Sequence, residues 1–209
     1  KMGIKFSNDP SFLEKCIDQA GICVLHAPLF HPAMKNAAAV RKELGVPTVF
    51  NILGPLANPA KPQAAAIGVA NERMHLVMAQ VLGDRGVDGF VFRGDDGLDE
   101  ITLATTTSVL SIGGGTIESQ RIEPADFGLS AAPISALVGG DSQENARITR
   151  AIFNGEVVEG AAATVAVDRL QRQAQRARVA QHGVMGAADE LGAAFGHLAR
   201  EHVAGRPAA

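Results

Sequence analysis

The sequence predicts an α/β fold, with a partly parallel sheet flanked by helices and a helical carboxyl-terminal tail. Three observations carry that expectation. An apolar run at 64–70, a helical stretch at 72–82 and a second apolar run at 89–92 succeed one another at the spacing of a strand–helix–strand unit. A crossover of that length is sufficient to join parallel strands. Thr- and Val-rich segments on either side of Gly113-Gly114-Gly115 read as two antiparallel strands around a glycine turn. Beyond Glu156 the chain turns rich in Ala, Gln and Arg, a composition that favours helix.

Taken in order, the chain opens on a helix start at Asn8-Asp9-Pro10, where either acceptor can cap and proline suits the first turn. Apolar residues Phe12, Leu13, Cys16, Ile17 and Ala20 follow, and Gly21 ends the helix. Ile22-Cys23-Val24-Leu25 then reads as a short buried strand. Residues 27–32 hold too much proline for regular structure, and a helix is expected over 32–44 with Gly45 at its end. Gly-Pro and Asn-Pro pairs within 48–59 describe a shaped loop. After the strand–helix–strand unit and the hairpin, residues 126–129 begin a loop. A helix is expected over 141–153, capped by Asp141 or Ser142 and closed by Gly155. Helices are also expected at 161–180 and 187–202, with a frayed end. The domain reading is one partial α/β domain over 1–155 and a divergent helical tail over 156–209.

Composition narrows the partners. Aromatic residues make up only 4% of the chain, with no Trp or Tyr, so a base-stacking nucleic-acid surface is not expected. A net charge of -3 provides no footprint for a polyanion either. Cys16 and Cys23 are the sole cysteines, a usage that suits reduced thiols rather than a disulfide scaffold or a zinc site. No apolar run approaches the ~20 residues of a membrane helix, and Lys1-Met2-Gly3 lacks a signal-peptide layout. A cytoplasmic protein without nucleic-acid or membrane partners is the expectation.

Three segments are candidates for chemistry. In the first, His31-Pro32-Ala33-Met34-Lys35 precedes Arg41; these are either solvated residues on a helix or, for Arg41, a planar fork that pairs with a carboxylate. The second, residues 50–59, is either a rigid connector or a preformed wall for a flat apolar ligand, with Pro55 against its ring. The third, Gly94-Asp95-Asp96-Gly97-Leu98-Asp99-Glu100, is either an exposed turn or a carboxylate site for Mg²⁺, which favours one or two carboxylates plus waters and substrate phosphates. Gly113-Gly114-Gly115 lacks the Lys-Ser or Lys-Thr of a phosphate loop and is read as a turn.

The order of these segments carries more than each alone. The succession HPAMKNAAAVRKELGVPTVFNILGPLANP from His31, followed by GDDGLDE from Gly94, resembles the anthranilate phosphoribosyltransferases over roughly Met2 to Gly155. The resemblance implies a nucleoside phosphorylase/phosphoribosyltransferase-like fold. It implies transfer of a phosphoribosyl group from 5-phosphoribosyl 1-diphosphate to anthranilate, release of pyrophosphate, a requirement for Mg²⁺, and a place in tryptophan biosynthesis. It assigns Arg41 to the anthranilate carboxylate, His31 and Pro55 to the anthranilate path, and Asp99 with Glu100 to magnesium.

The family's amino-terminal helical domain, its Gly-Thr-Gly-Gly-Asp diphosphate loop and its Lys-His-Gly-Asn segment have no counterpart here. Little independent binding of the diphosphate substrate is therefore expected. An incomplete or split enzyme follows, working with a separate amino-terminal half or as a homodimer. The alternatives are an inactive remnant that binds a ligand, or a phosphorylase-like enzyme acting on nucleosides. The tail from Val157 shows none of the family's helix motifs, as either a divergent end or a shifted reading frame would produce.

Overall fold

The computed structural model describes residues 2–156 except 47 and 128. The tail helices expected at 161–180 and 187–202 lie outside the described residues. The described residues divide into two compact units, one formed by Gly3–Gln63 and the other by Met2 and the described residues from Ala64.

The first unit begins with α1 (Pro10–Ala20). The Asp9 carboxylate accepts the Ser11 N–H at 3.1 Å, and Pro10 sits in the first turn, where its missing donor costs nothing. Gly21 adopts φ 68°, a left-handed conformation open to glycine, and its N–H returns to the Ile17 carbonyl. The start and the stop are both as the sequence predicts.

The expected strand at residues 22–25 does not form. Ile22 is 65% exposed and Val24 47%, and no strand occurs among the described residues of this unit. Local apolar character is insufficient because a strand's backbone groups need a neighbouring strand.

Instead of irregular chain, α2 (Ala27–Phe30) makes one turn with Pro28 near its start. Phe6 stacks on the His26 ring just before it, centroids 4.4 Å apart. The helix expected over 32–44 is divided into a 3₁₀ segment, Pro32–Ala37, and α3 (Ala38–Leu44), which Gly45 ends at φ 61°.

The segment expected as a shaped loop contains α4 (Phe50–Leu56), with Pro55 inside it. A reciprocal clasp starts this helix. The Asn51 side-chain oxygen accepts the Thr48 N–H at 3.1 Å, while the Asn51 N–H donates to the Thr48 carbonyl at 2.9 Å. Pro55 removes one intrahelical donor, and the helix ends at the next residue, Leu56.

The second unit is built on a four-stranded sheet of order β1 (Ala64–Gly68), β2 (Asp88–Gly94), β3 (Thr107–Gly113) and β4 (Thr116–Ile122). β1 and β2 are parallel, joined through α5 (Glu72–Asp84), and the remaining pairs are antiparallel. Asn71 caps α5 by accepting the N–H groups of Arg73 and Met74 at 3.0 and 3.3 Å.

Strand alternation gives the sheet two packed faces. α5 packs on β2 and β3 with Met78, Ala79 and Leu82 buried, and His75 Nε2 lies 2.9 Å from the Val91 carbonyl oxygen. Phe90, Phe92 and Val109 belong to a core cluster with Ile101 and Leu103, against which Ile122, Phe127, Leu129, Ala132, Ala136 and Leu137 pack. Burial on both faces accounts for the continuous apolar run Phe90-Val91-Phe92.

Gly114 and Gly115, at φ 57° and 79°, close the β3–β4 hairpin, a turn that requires positive φ at both positions. The charged strand β4 ends the sheet, and Glu118 and Arg121 discourage further pairing at that edge. A 3₁₀ turn, Pro124–Phe127, occupies the start of the expected loop. Another covers Ile134–Leu137, and α6 (Ser142–Phe153) follows. Asp141 caps α6, and Gly155 takes a positive φ just past its end.

Candidate functional site

The acid-rich segment leaves the carboxyl end of β2 beside the carboxyl end of β1. That is the edge of an open α/β sheet where ligands bind. The Gly94 N–H donates to the Leu98 carbonyl at 2.9 Å, and the Asp95 N–H donates to the Thr106 carbonyl at 3.0 Å. These bonds shape a closed loop, and its four acids fall into two classes.

Asp95 and Asp96 serve the loop itself. Asp95 accepts the hydroxyls of Thr106 and Ser108 and pairs with the Arg121 guanidinium at 2.7 Å. The Thr106 hydroxyl above all holds its carboxyl below the ordinary carboxylate range; burial opposes this, and the Arg121 charge and the remaining hydrogen bonds add to the lowering. Asp96 accepts the Leu98 N–H at 3.1 Å and the Thr102 hydroxyl at 2.6 Å.

Asp99 and Glu100 are both exposed. The backbone of Asp99 presses on Gly68 at the end of β1, where a Cβ would overlap the Asp99 carbonyl. The adjacent pair therefore stands at the carboxyl ends of the parallel strands. Among the described residues, no three acidic, His or Cys side chains gather into a cage for a metal ion. A pair of exposed carboxylates nonetheless fits Mg²⁺, which fills its remaining positions with waters and phosphate oxygens.

In the first unit, α3 carries Arg41 and the 48–51 clasp places Asn51 and Phe50 beside it. The Arg41 guanidinium lies 3.4 Å from the Asn51 side-chain oxygen and 5.5 Å from the centre of the Phe50 ring. Among the described residues no carboxylate pairs with Arg41. Ala38, Arg41, Lys42, Gly45, Val46 and Asn51 line an open depression of about 370 Å³. His31 is half-buried at the end of α2, where its N–H reaches the Ala27 carbonyl at 2.9 Å. Pro55 is exposed on α4. Neither lines that depression.

Sequence reasoning placed Phe50 and Asn51 in the candidate wall at 50–59 but not beside Arg41, which they flank, and it did not single out Gly68 and Thr102, which shape the acid loop. The Asp-x-Leu spacing of Asp96 and Leu98 is a usable signal for the loop, since Asp side chains readily accept the N–H two residues on.

A parallel strand pair with an exposed acid pair at its carboxyl edge, joined to an antiparallel hairpin, fits a glycosyl-transfer α/β domain. The chain belongs to the glycosyl transferase family, a/b domain, whose family model matches residues 1–193. Its similarity among curated proteins is to anthranilate phosphoribosyltransferases. The one from Thermobifida fusca (strain YX) is 46% identical over 155 residues, covering 74% of this chain and 44% of that protein. The one from Mycolicibacterium vanbaalenii is 41% identical over 209 residues, covering 95% of this chain and 57% of that protein. The chain thus spans about half the length of the curated relatives it matches.

Solved structures agree. Anthranilate phosphoribosyltransferase from Thermus thermophilus matches with TM-score 0.74 at 34% identity, covering 97% of this chain and 61% of that one. The Saccharomyces cerevisiae enzyme in complex with PRPP and Mg matches with TM-score 0.61 at 26% identity, covering 82% of this chain and 50% of that one. The phosphoribosyltransferase-like α/β fold implied by the motifs is the fold observed. The family match runs past Gly155, where the motif resemblance stops, to residue 193.

Proposed function

We propose that this chain serves the transfer of the phosphoribosyl group of 5-phosphoribosyl 1-diphosphate to anthranilate. The products are N-(5-phosphoribosyl)anthranilate and pyrophosphate, in cytoplasmic tryptophan biosynthesis. The chain spans about half the length of its curated relatives, so the activity is proposed for the enzyme that contains this stretch. No helix among the described residues is long and apolar enough to cross a membrane.

The observation that carries the reading is the Arg41 guanidinium, which pairs with no carboxylate among the described residues. It is steadied by an amide oxygen and a ring, and it opens onto a surface depression. A planar fork without an ion partner suits a carboxylated aromatic acceptor through two parallel hydrogen bonds. A nucleobase has no carboxylate to offer it. His31 and Pro55 contribute to the acceptor's path, and a proline face accepts an aromatic ring.

In the reaction the bond from ribose carbon 1 to the diphosphate oxygen breaks and a bond to the anthranilate nitrogen forms. The electron pair of the broken bond leaves with pyrophosphate, and the amine's proton passes to water or to product phosphate. Asp99 and Glu100 would hold Mg²⁺, which supplies positive charge to the departing diphosphate when bound. Arg41 fixes the acceptor's orientation, so that positioning rather than a covalent intermediate carries the acceleration.

Isothermal titration of the chain with anthranilate tests the acceptor assignment, run with and without Mg²⁺ and the diphosphate substrate. Saturable heat is expected with the wild-type chain. Arg41→Ala is expected to lose about 1.5–3 kcal/mol of binding, tenfold or more in Kd. Equal binding by Arg41→Ala, or no saturation under any combination, would sink the assignment.

A further inference from the structure

We propose that Asp96 and Thr102 are the positioning residues for the Asp99–Glu100 pair, together setting it as the donor set for a divalent cation. This inference rests on the metal reading given above. Asp96 bridges the short segment that holds the two exposed acids. One carboxylate oxygen takes the N–H of Leu98, immediately before Asp99. The other takes the hydroxyl of Thr102, two residues after Glu100.

The far end of the bridge is itself fixed. Thr102 is only 1% exposed. Its hydroxyl accepts the Ala104 N–H at 2.9 Å, and its own N–H donates to the Thr107 hydroxyl at 3.1 Å, where β3 begins. Ile101, 2% exposed, is sunk in the core cluster with Phe90 and Phe92. At the near end, the Leu98 carbonyl is held by the Gly94 N–H. Below, the bare Cα of Gly68 lets the Asp99 carbonyl lie against the end of β1, where any Cβ would overlap it.

With both ends tied and the Asp99 backbone against Gly68, Asp99 and Glu100 stand exposed at the carboxyl edge of the parallel strands. Asp95 does not take part in this bridge; its oxygens go to Thr106, Ser108 and Arg121. The motif's second acid is thus an arranger and its last two acids are the arranged groups. Partners one step removed from a metal's ligands typically alter affinity about tenfold or more when lost.

The test uses the full chain with Mn²⁺ as the probe, following paramagnetic broadening of the amide signals of residues 98–102 during MnCl₂ titration. Thr102→Val keeps the buried shape and removes the hydroxyl, whereas Thr102→Ser restores it. Thr102→Val is expected to raise the Mn²⁺ Kd about tenfold while the far-ultraviolet spectrum stays unchanged, and Thr102→Ser is expected to bind like wild type. Asp96→Asn is the second variant, for use if Thr102→Val does not fold, and should weaken binding similarly. The double variant Asp99→Asn with Glu100→Gln separates the two layers of the argument. If it abolishes broadening while Thr102→Val and Asp96→Asn bind normally, the positioning role is overturned and the metal reading stands. If it broadens like wild type, the metal reading falls and the positioning role falls with it. Equal weakening by Thr102→Val and Thr102→Ser would also overturn the proposal, because the hydroxyl would not be the link.

Discussion

Asp95 joins three elements with one side chain: it takes a hydroxyl from Thr106, another from Ser108 on β3, and the guanidinium of Arg121 on β4. Because these donors favour the charged form, the folded carboxyl titrates below its unfolded counterpart. Stability from this group is therefore present above the unfolded pKa and is lost as pH falls through the lower folded one. Arg121 is 68% exposed, so solvent screens the ion pair and the hydroxyl bonds dominate. Asp95→Asn is expected to cost about 1 kcal/mol at neutral pH and to flatten the loss of stability below about pH 4. Urea midpoints measured across that range check it, and an acid slope equal to wild type would contradict it. Reading the sequence alone, Asp95, Asp96, Asp99 and Glu100 are four similar acids in one glycine-punctuated run. What sorts them is the hydroxyls at 102, 106 and 108 and the arginine at 121, which reach them through the sheet rather than along the chain. The family motif named Asp99 and Glu100, and the Asp96-x-Leu98 spacing hints at the role of Asp96, but nothing local marks Asp95, whose partners lie far along the chain.

Secondary elements were legible where their causes are local. α1 starts at Asp9-Pro10 and stops at Gly21 because caps, proline and left-handed glycine act over a few residues. The same holds for α6, with Asp141 before it and Gly155 just beyond its end. The β3–β4 hairpin was equally readable from Gly114 and Gly115. Residues 22–25 failed as a strand because pairing is non-local and no strand is at hand in that unit. α4 was missed because Gly54 and Pro55 read as punctuation, while the Thr48–Asn51 clasp that starts the helix leaves little mark on composition. The cap of α5 offers a direct test of this local logic. The Asn71 side chain accepts the N–H groups of Arg73 and Met74 at the start of the only crossover among the described residues, the Met74 N–H being shared with the Asn71 carbonyl. Asn71→Ala is expected to destabilise the sheet-bearing unit by about 1 kcal/mol, read as a lowered Tm. An unchanged Tm would mean that packing of Met78 and Leu82 alone sets the helix start.

The two units differ in the quality of their interiors. From Ala64 the central strands β2 and β3 are covered on both faces, with Val91 and Ala79 fully inaccessible and Met78, Ile101, Val109 and Ile112 nearly so. Among the described residues of Gly3–Gln63 none is buried, and Phe6, Phe12, Ile17, Leu44 and Val46 are each more than 40% exposed. Apolar burial contributes about 25 cal/mol per Å², so helices that leave these side chains in water draw little stability from tertiary packing. Short helices also gain little on their own, since isolated segments below about 12–15 residues are marginal in water. Unequal resistance to opening follows. Hydrogen exchange of the full chain should show amides of α1, α3 and α4 exchanging at least about a hundredfold faster than those of β2 and β3, because opening the first needs little of the global free energy. Limited proteolysis should likewise cut within Gly3–Gln63 first and leave a resistant piece beginning near Ala64. Exposed apolar surface on this scale also favours self-association and poor solubility. A chain that runs as a single species, with α1 and β2 amides protected to the same degree and lost in one cooperative transition, would show that the helices of the first unit are covered after all.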